Sequence, residues 1–535
     1  MGILGLVEDR PTPKAVYNWR VYLLAAVASM AACMIGYDSA FIGGTIALKS
    51  FQDEFKFDEM TPSYRNLLSA NIVSLYQAGA FFGSFFAYPI GHFYGRKVGL
   101  IAAAIIFTVG AGMMLGVSGE RGFALLYAGR VLAGMGVGAG SNMTPIYISE
   151  LSPPAIRGRL VGVYELGWQI GGLVGFWINY GVDSTMEPSR IQWIIPLAVQ
   201  LIPSGILLIG AFFLRESPRW LFQRGRREEA IRNLSWIRQL PEDDVYMVEE
   251  INAIEQAFEY QSAKIGVGFW DPFKAAVTNK KIMYRLFLGS ALFLWQNGSG
   301  INAINYYSPT IFKSIGIRGT NTSLFTTGIF GVVKTVVTVV WLLYLIDHVG
   351  RRLLLLIGAT GGSVCLWIVG AYIKIAAPEE NAKETMDGGG IAAMFFFYLW
   401  TVFYTPSWNG TPWVMNSEMF DPSMRALAQA CAAGSNWLWN FLISRFTPQM
   451  FATMGYGVYF FFASLMMCSV VFVFFLVPET KGIPLESMDG LFEEQPVWRA
   501  HKKVLDKLRE DEDVFRQEIG MEPGEKGSDS AEERV

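Results

Sequence analysis

Four carboxamides, Gln296, Asn297, Asn302 and Asn305, are crowded into an otherwise apolar run from Phe287 to Phe312. An amide both donates and accepts, so such a group can meet the hydroxyls of a polar solute. Amides left in hydrocarbon are costly, and irregular backbone at membrane depth is tolerated only against protein or a water-filled cavity. Gln296 and Asn302 are six positions apart, which a straight helix would splay by about 240°. Gly298 and Gly300 between them can break the helix and turn both side chains into one cavity. The other reading is that the amides only bridge to neighbouring helices. Their crowding into about two turns favours the wall of a polar solute site.

A second pattern is ionisable. Asp38 follows Arg20 by eighteen residues, about 27 Å of helix, which places a carboxylate in the outer half of a membrane. Arg130 enters on another apolar stretch at comparable depth, and an intramembrane carboxylate needs such a partner. The two residues are expected to form either a proton-responsive couple or a static ion pair. Nothing has the form of a phosphate-binding loop or a catalytic constellation, which argues against an enzyme or an ATP-driven pump. Cys33, Cys365, Cys431 and Cys468 fall inside apolar stretches and suit small apolar packing better than a disulfide framework. His92, His348 and His501 are too scattered for a metal site, so neither metal nor cofactor is expected.

The elements that must hold these residues are membrane helices. The chain is 52% hydrophobic and 17% charged, with a mean hydropathy of +0.32, unlike an ordinary soluble protein. Apolar stretches recur at 20–42, 68–90, 98–118, 122–146, 160–180, 192–214, 283–307, 322–346, 353–375, 391–417, 426–449 and 454–476, each near the roughly 20 residues a bilayer needs. A net charge of −3 and the lack of a basic module speak against nucleic acid as a partner. No cleavable signal peptide is read before the first stretch. Arg96, Lys97, Arg157, Arg159, Arg351, Arg352 and Arg425 flank the stretches on the Arg20 side, which predicts that both termini are cytoplasmic.

The chain also repeats itself. Gly95-Arg96-Lys97 returns as Gly350-Arg351-Arg352, the latter preceded by Asp347. Glu150 and Arg157 have the spacing of Glu418 and Arg425, and Glu216 before Ser217 matches Glu479 before Thr480. Three paired signals at nearly constant separation imply two six-span halves related by duplication. The expected layout is a cytoplasmic segment 1–19, a bundle 20–214, a polar helical linker 215–282, a second bundle 283–477 and a cytoplasmic tail 478–535.

At these residues the sequence resembles the sugar-porter branch of the major facilitator superfamily, from Gly36-Tyr37-Asp38 to Pro478-Glu479-Thr480-Lys481-Gly482. The opening Glu8-Asp9-Arg10-Pro11 through Tyr17-Asn18-Trp19-Arg20, with Gly36-Tyr37-Asp38-Ser39-Ala40-Phe41, is similar to its fungal quinate permeases. The resemblance implies an all-α membrane protein of twelve transmembrane helices in two pseudo-symmetric six-helix bundles, working in the plasma membrane by alternating access. It implies that Asp38 couples to a proton whose state Arg130 senses. It implies that Gln296, Asn297, Asn302, Trp413, Asn436 and Trp437 hold the substrate ring. Tyr306 and Tyr307 match an outer-gate region, with plain aromatic packing as the alternative. The repeated turns, Gly95, Arg96, Glu150, Arg157 and Glu216 with Asp347, Gly350, Arg351, Glu418, Arg425 and Glu479, match conformational charge clusters. His92 stands where the first-half turn usually has Asp. The linker matches a cytoplasmic insert bracing the inward side, and a solvated linker reads equally well. The tail remains as the segment available to regulatory factors.

Two departures from the family pattern bear on the solute. Glu165 occupies a position where sugar carriers usually have glutamine, and Lys334 one usually held by asparagine. Lys334 precedes Asp347 by thirteen residues, about 20 Å of helix, deep in the bilayer. A central lysine costs roughly 2.5–3.5 kcal/mol on insertion scales, so something anionic must meet it. Glu165 is one candidate and a substrate carboxylate is the other. The expectation is proton-coupled uptake of quinate, a polyhydroxylated cyclic carboxylic acid, with Glu165 as the partner of Lys334 in the empty site. A hexose or inositol proton symporter and a non-transporting nutrient sensor are the alternatives.

Overall fold

The computed structural model describes residues 12–378, 381, 387–420, 422–481, 483, 488–494 and 496–518, so the opening Glu8–Pro11 motif and residues 519–535 of the tail lie outside the described residues. Helices of eight residues or more are numbered here in chain order. The first half has α1 (Trp19–Ala47), α2 (Pro62–Phe93), α3 (Arg96–Leu115), α4 (Ala124–Leu151), α5 (Arg157–Thr185), α6 (Arg190–Val199) and α7 (Leu201–Phe213). Between the halves lie α8 (Arg227–Arg238), α9 (Val245–Lys264) and α10 (Asp271–Thr278). The second half has α11 (Lys280–Gly298), α12 (Ile301–Ile315), α13 (Thr320–Val340), α14 (Arg351–Ala376), α15 (Gly388–Tyr404), α16 (Thr411–Glu418), α17 (Pro422–Met454) and α18 (Gly457–Leu476), followed by α19 (Val497–Glu518). Local chemistry sets the boundaries. Asn18 caps α1 by accepting from the Arg20 amide at 2.9 Å, and Thr61 with Pro62 starts α2.

Seven helical stretches among the described residues are long and apolar enough to cross a membrane: Lys14–Ala47, Arg96–Leu115, Arg190–Phe213, Thr320–Leu345, Arg351–Ala376, Gly388–Glu418 and Gly457–Leu476. The chain is a multi-pass, all-α membrane protein. The other long helices fall short of that apolarity because they carry the buried polar groups: Gln77 on α2, Arg130 and Asn142 on α4, Gln169 and Asn179 on α5, and Asn436 and Asn440 on α17.

Small residues bring these helices close. A Cβ on Gly36 of α1 would sit 1.8 Å from the Trp168 carbonyl oxygen on α5, and one on Gly134 of α4 would sit 2.0 Å from that of Tyr76 on α2. Such contacts replace the hydrophobic drive that lipid cannot supply between helices. One apolar core is built mainly from α1–α7 and a second mainly from α11–α18, giving an N-terminal and a C-terminal helix bundle. The insert carries its own small core of Trp220, Leu221, Phe222, Leu234, Met247 and Ile251. Arg238 fastens it to the first bundle, pairing with Glu250 at 2.7 Å and donating to the Leu151 carbonyl at 2.8 Å. Arg20 adds a bond to the Trp236 carbonyl at 2.9 Å and stacks on the same indole.

Candidate functional site

Gly300, in the left-handed region at φ +86°, separates α11 from α12. The backbone changes course there, and Gln296 from the end of α11 and Asn302 from the start of α12 line one cavity. The same walls are completed by Glu165 and Trp168 of α5, Lys334 of α13, Tyr404, Asn409 and Trp413 around the α15–α16 junction, and Asn436 and Asn440 of α17. Both bundles therefore contribute. A wider cavity at the Arg96 end is lined by His92, Arg96, Asn142, Gln223, Arg224 and Gln261.

A π-helical turn, Thr405–Asn409, joins α15 to α16 and brings Asn409 to the cavity wall. Gln296 donates to the carbonyls of Trp408 and Asn409, each at 2.8 Å, so its amide nitrogen supports this turn and its oxygen is left for the cavity. Asn409 reaches across to the other bundle and donates to Glu165 Oε1 at 2.6 Å, with Gln169 donating to the same oxygen at 2.9 Å. The expected Glu165–Lys334 ion pair is not closed: among the described residues none forms between them, and both amides bond to Oε1 of Glu165. The ammonium of Lys334 is left on the cavity wall, and Lys334 as a whole is 7% exposed.

Two residues expected to touch a solute stand behind the wall. Asn297 is buried, donates to Asn436 Oδ1 at 3.1 Å and accepts from Asn302 at 2.5 Å, so it orients its neighbours. Trp437 is wholly buried, donates to Ser141 Oγ of the first bundle at 3.1 Å and stacks on Trp168 at 6.5 Å between ring centroids. Trp413 and Asn436 do line the cavity. Asn409, Asn440, Trp168 and Tyr404 carry no sequence signal that places them here, whereas Asn305 belongs to the amide run and follows Asn302 by three residues on one helical face.

Asp38 and Arg130 meet away from this cavity. Arg130 Nη1 is 2.5 Å from Asp38 Oδ1, its Nε donates to the Ile72 carbonyl at 2.9 Å, and its guanidinium lies 4.5 Å over the Tyr76 ring. α1 crosses α12 closely, and a Cβ on Gly43 would sit 2.0 Å from the Tyr306 carbonyl oxygen. Tyr306 accepts from Asn440 at 3.4 Å, and Tyr307 donates to the Ser444 carbonyl at 2.8 Å.

The repeated charges form two matching clusters. Arg96 holds Glu150 through Nη2–Oε1 at 2.8 Å and Nε–Oε2 at 3.0 Å, and Arg351 holds Glu418 Oε1 at 2.8 Å. Glu216 accepts from the amides of Arg96 and Lys97 at 3.0 and 3.1 Å, capping α3, and Glu479 accepts from those of Arg351 and Arg352 at 2.9 Å each, capping α14. Ser217 and Thr480 bond to Glu150 and Glu418 at 2.5 and 2.6 Å. Burial pushes the Glu216 carboxyl above the ordinary carboxylate range, and the amides of Ser217, Arg96 and Lys97 pull it back. Gly95 at φ +99° and Gly350 at φ +90° make both turns possible, because a Cβ there would run into Glu216 or Glu479. Arg157 opens α5, and Arg425 lines a cavity with Arg96, Glu150 and Arg219. Asp347 falls in the short helix Ile346–Val349, its side chain outside those described.

Residues 24–492 match the family model described as "Sugar (and other) transporter". The chain belongs to that family. It is 79% identical over 519 residues to a "Probable quinate permease" of Aspergillus flavus, covering 97% of each chain. It is 76% identical over 537 residues to the protein of that name from Aspergillus terreus, covering 100% of this chain and 98% of the relative. Among solved structures, it is similar to the proton:xylose symporter XylE bound to 6-bromo-6-deoxy-D-glucose, with a TM-score of 0.73 and 26% identity over 88% of this chain and 99% of the other. The partially occluded inward-open form of XylE from E. coli gives a TM-score of 0.71 at 25% identity, covering 87% and 100%. Family membership makes the chain a transporter of the major facilitator type rather than an enzyme.

Proposed function

We propose that this transporter imports quinate together with protons across the cell membrane by alternating access. The single observation that carries the solute class is the Lys334 ammonium, set in the wall of an amide- and tryptophan-lined cavity without an ion pair among the described residues. A neutral hexose offers that charge hydroxyl acceptors but no counter-charge, and a polyhydroxylated carboxylate offers both. The names of these relatives support the same acid, and that of XylE supports proton coupling.

In this reading Gln296, Asn302, Asn436 and Trp413 hold the ring and its hydroxyls, with Asn297 and Trp437 supporting them from behind. Asp38 takes the coupling proton and Arg130 answers to its charge. Tyr306 and Tyr307 gate the outer side. The clusters of Arg96, Glu150 and Glu216 and of Arg351, Glu418 and Glu479, with Arg157, Asp347 and Arg425 beside them, steady one orientation of the bundles. Twelve spans result when α2, α4, α5, α17 and the broken pair α11–α12 join the seven apolar stretches. The bundles are then 20–214 and 283–477, with residues 1–19, 215–282 and 478–535 in the cytoplasm.

Uptake of labelled quinate and glucose, measured side by side in a host lacking its own carriers, tests the reading. Quinate should enter and be competed by unlabelled quinate, with glucose at background. Uptake of glucose alone would replace it with a hexose carrier, and binding without uptake of either would make the chain a sensor.

A further inference from the structure

Asn305 sits one turn along α12 from Ile301, is 7% exposed, and leaves its carbonyl oxygen without a hydrogen-bond partner. It lines the central cavity and also a smaller one between α1, α5 and α13, and Lys334 and Trp168 are common to both. Asn305 and Lys334 therefore share the junction of the two spaces, one contributing an unused acceptor and the other an ammonium without an ion pair among the described residues. Buried polar groups are ordinarily satisfied, and an unused acceptor lining the same space as this ammonium points to a ligand that meets both.

The chemistry of the pair is selective. A plain carboxylate on Lys334 can accept from the Asn305 amide nitrogen but leaves the amide oxygen without a donor. A hydroxyl on the carbon next to the carboxylate supplies that donor while the carboxylate rests on the ammonium. We infer that Asn305 is a specificity-determining residue that, with Lys334, selects carboxylates bearing a hydroxyl on the adjacent carbon. The amide nitrogen of Asn305 is then free to donate to a carboxylate oxygen. This rests on the proposed acid-transport function and deepens it.

Quinate carries that hydroxyl, and shikimate has a ring double bond in its place. Uptake of both acids would be measured over a range of concentrations for the parent, Asn305→Leu and Asn305→Ala, with each variant's surface level determined from a tag. Asn305→Leu, close in size, should raise half-saturation for quinate by about tenfold and leave shikimate within about twofold of the parent. Asn305→Ala should show the same split, and it decides the matter if the leucine variant does not reach the surface. Equal loss for both acids at normal surface level, or unchanged quinate uptake, overturns the assignment while the transport reading stands. A parent that moves neither acid overturns both, and the parent measurement alone shows this.

Discussion

Arg130 Nη1 lies 2.5 Å from Asp38 Oδ1 in a part of the first bundle where neither side chain has any solvent exposure. Asp38 Oδ2 and Arg130 Nη2 have no hydrogen-bond partner, so the pair is only half satisfied. Protonating the carboxylate removes the attraction that holds the guanidinium, and the packing of α1 against α4 then depends on a proton. Asp38→Asn should abolish accumulation of quinate against its gradient while exchange of labelled for unlabelled quinate persists. A variant that still concentrates substrate as the parent does would remove Asp38 from the coupling step.

Asn302 and Gln296 differ in what their loss should do. Asn302→Ala removes the proposed hydrogen bond to solute, together with the bond to Asn297, and should weaken half-saturation by the equivalent of about 0.5–1.5 kcal/mol, two- to roughly tenfold. Gln296→Ala should weaken it further, because the same side chain also ties down the turn at Trp408 and Asn409. Unchanged half-saturation in both variants would move the site away from α11 and α12.

Lys334 and Glu165 can be separated by a double substitution. Lys334→Asn should reduce quinate uptake ten- to a hundredfold, the loss of a charge-assisted bond of about 1.5–3 kcal/mol. Adding Glu165→Gln removes the charge left unpaired in the cavity. Transport of quinate should stay poor in the double variant, with any recovered activity towards uncharged polyols. Full recovery of quinate uptake would mean that the two charges serve only each other.

The paired turns make a prediction about stability. At φ +99° and ψ 173° for Gly95, and +90° and 158° for Gly350, the backbone lies where residues other than glycine cost roughly 1–3 kcal/mol. Gly95→Ala and Gly350→Ala should each lower the thermal midpoint of the detergent-solubilised protein. Gly95→Ala should lower it more, because its new Cβ would lie 2.3 Å from Glu216 Oε2 against 2.7 Å from Glu479 at the other turn. Equal or absent shifts, read by fluorescence-detected melting, would contradict this.

These turns were legible because the interacting residues themselves recur: Arg96, Glu150 and Glu216 announced the arrangement of Arg351, Glu418 and Glu479. The break at Gly300 was legible from glycine chemistry and from amides that a straight helix would point apart. Asn409 was not, since nothing local says that a π-helical turn at Thr405–Asn409 will carry its amide to Glu165. The same amide bonds to Glu165, whose complementary charge with Lys334 suggested a direct pair that is not closed. Asn297 and Trp437 look like ligands in sequence because their types suit one, and packing turns them away from the cavity.

Proton-driven accumulation of quinate by the purified protein in liposomes tests the central claim most directly. With the outside made acidic, labelled quinate should rise inside above its external concentration. It should fall back when an uncoupler collapses the gradient. Accumulation that survives the uncoupler, or quinate that only equilibrates whatever the gradient, would contradict proton-coupled transport.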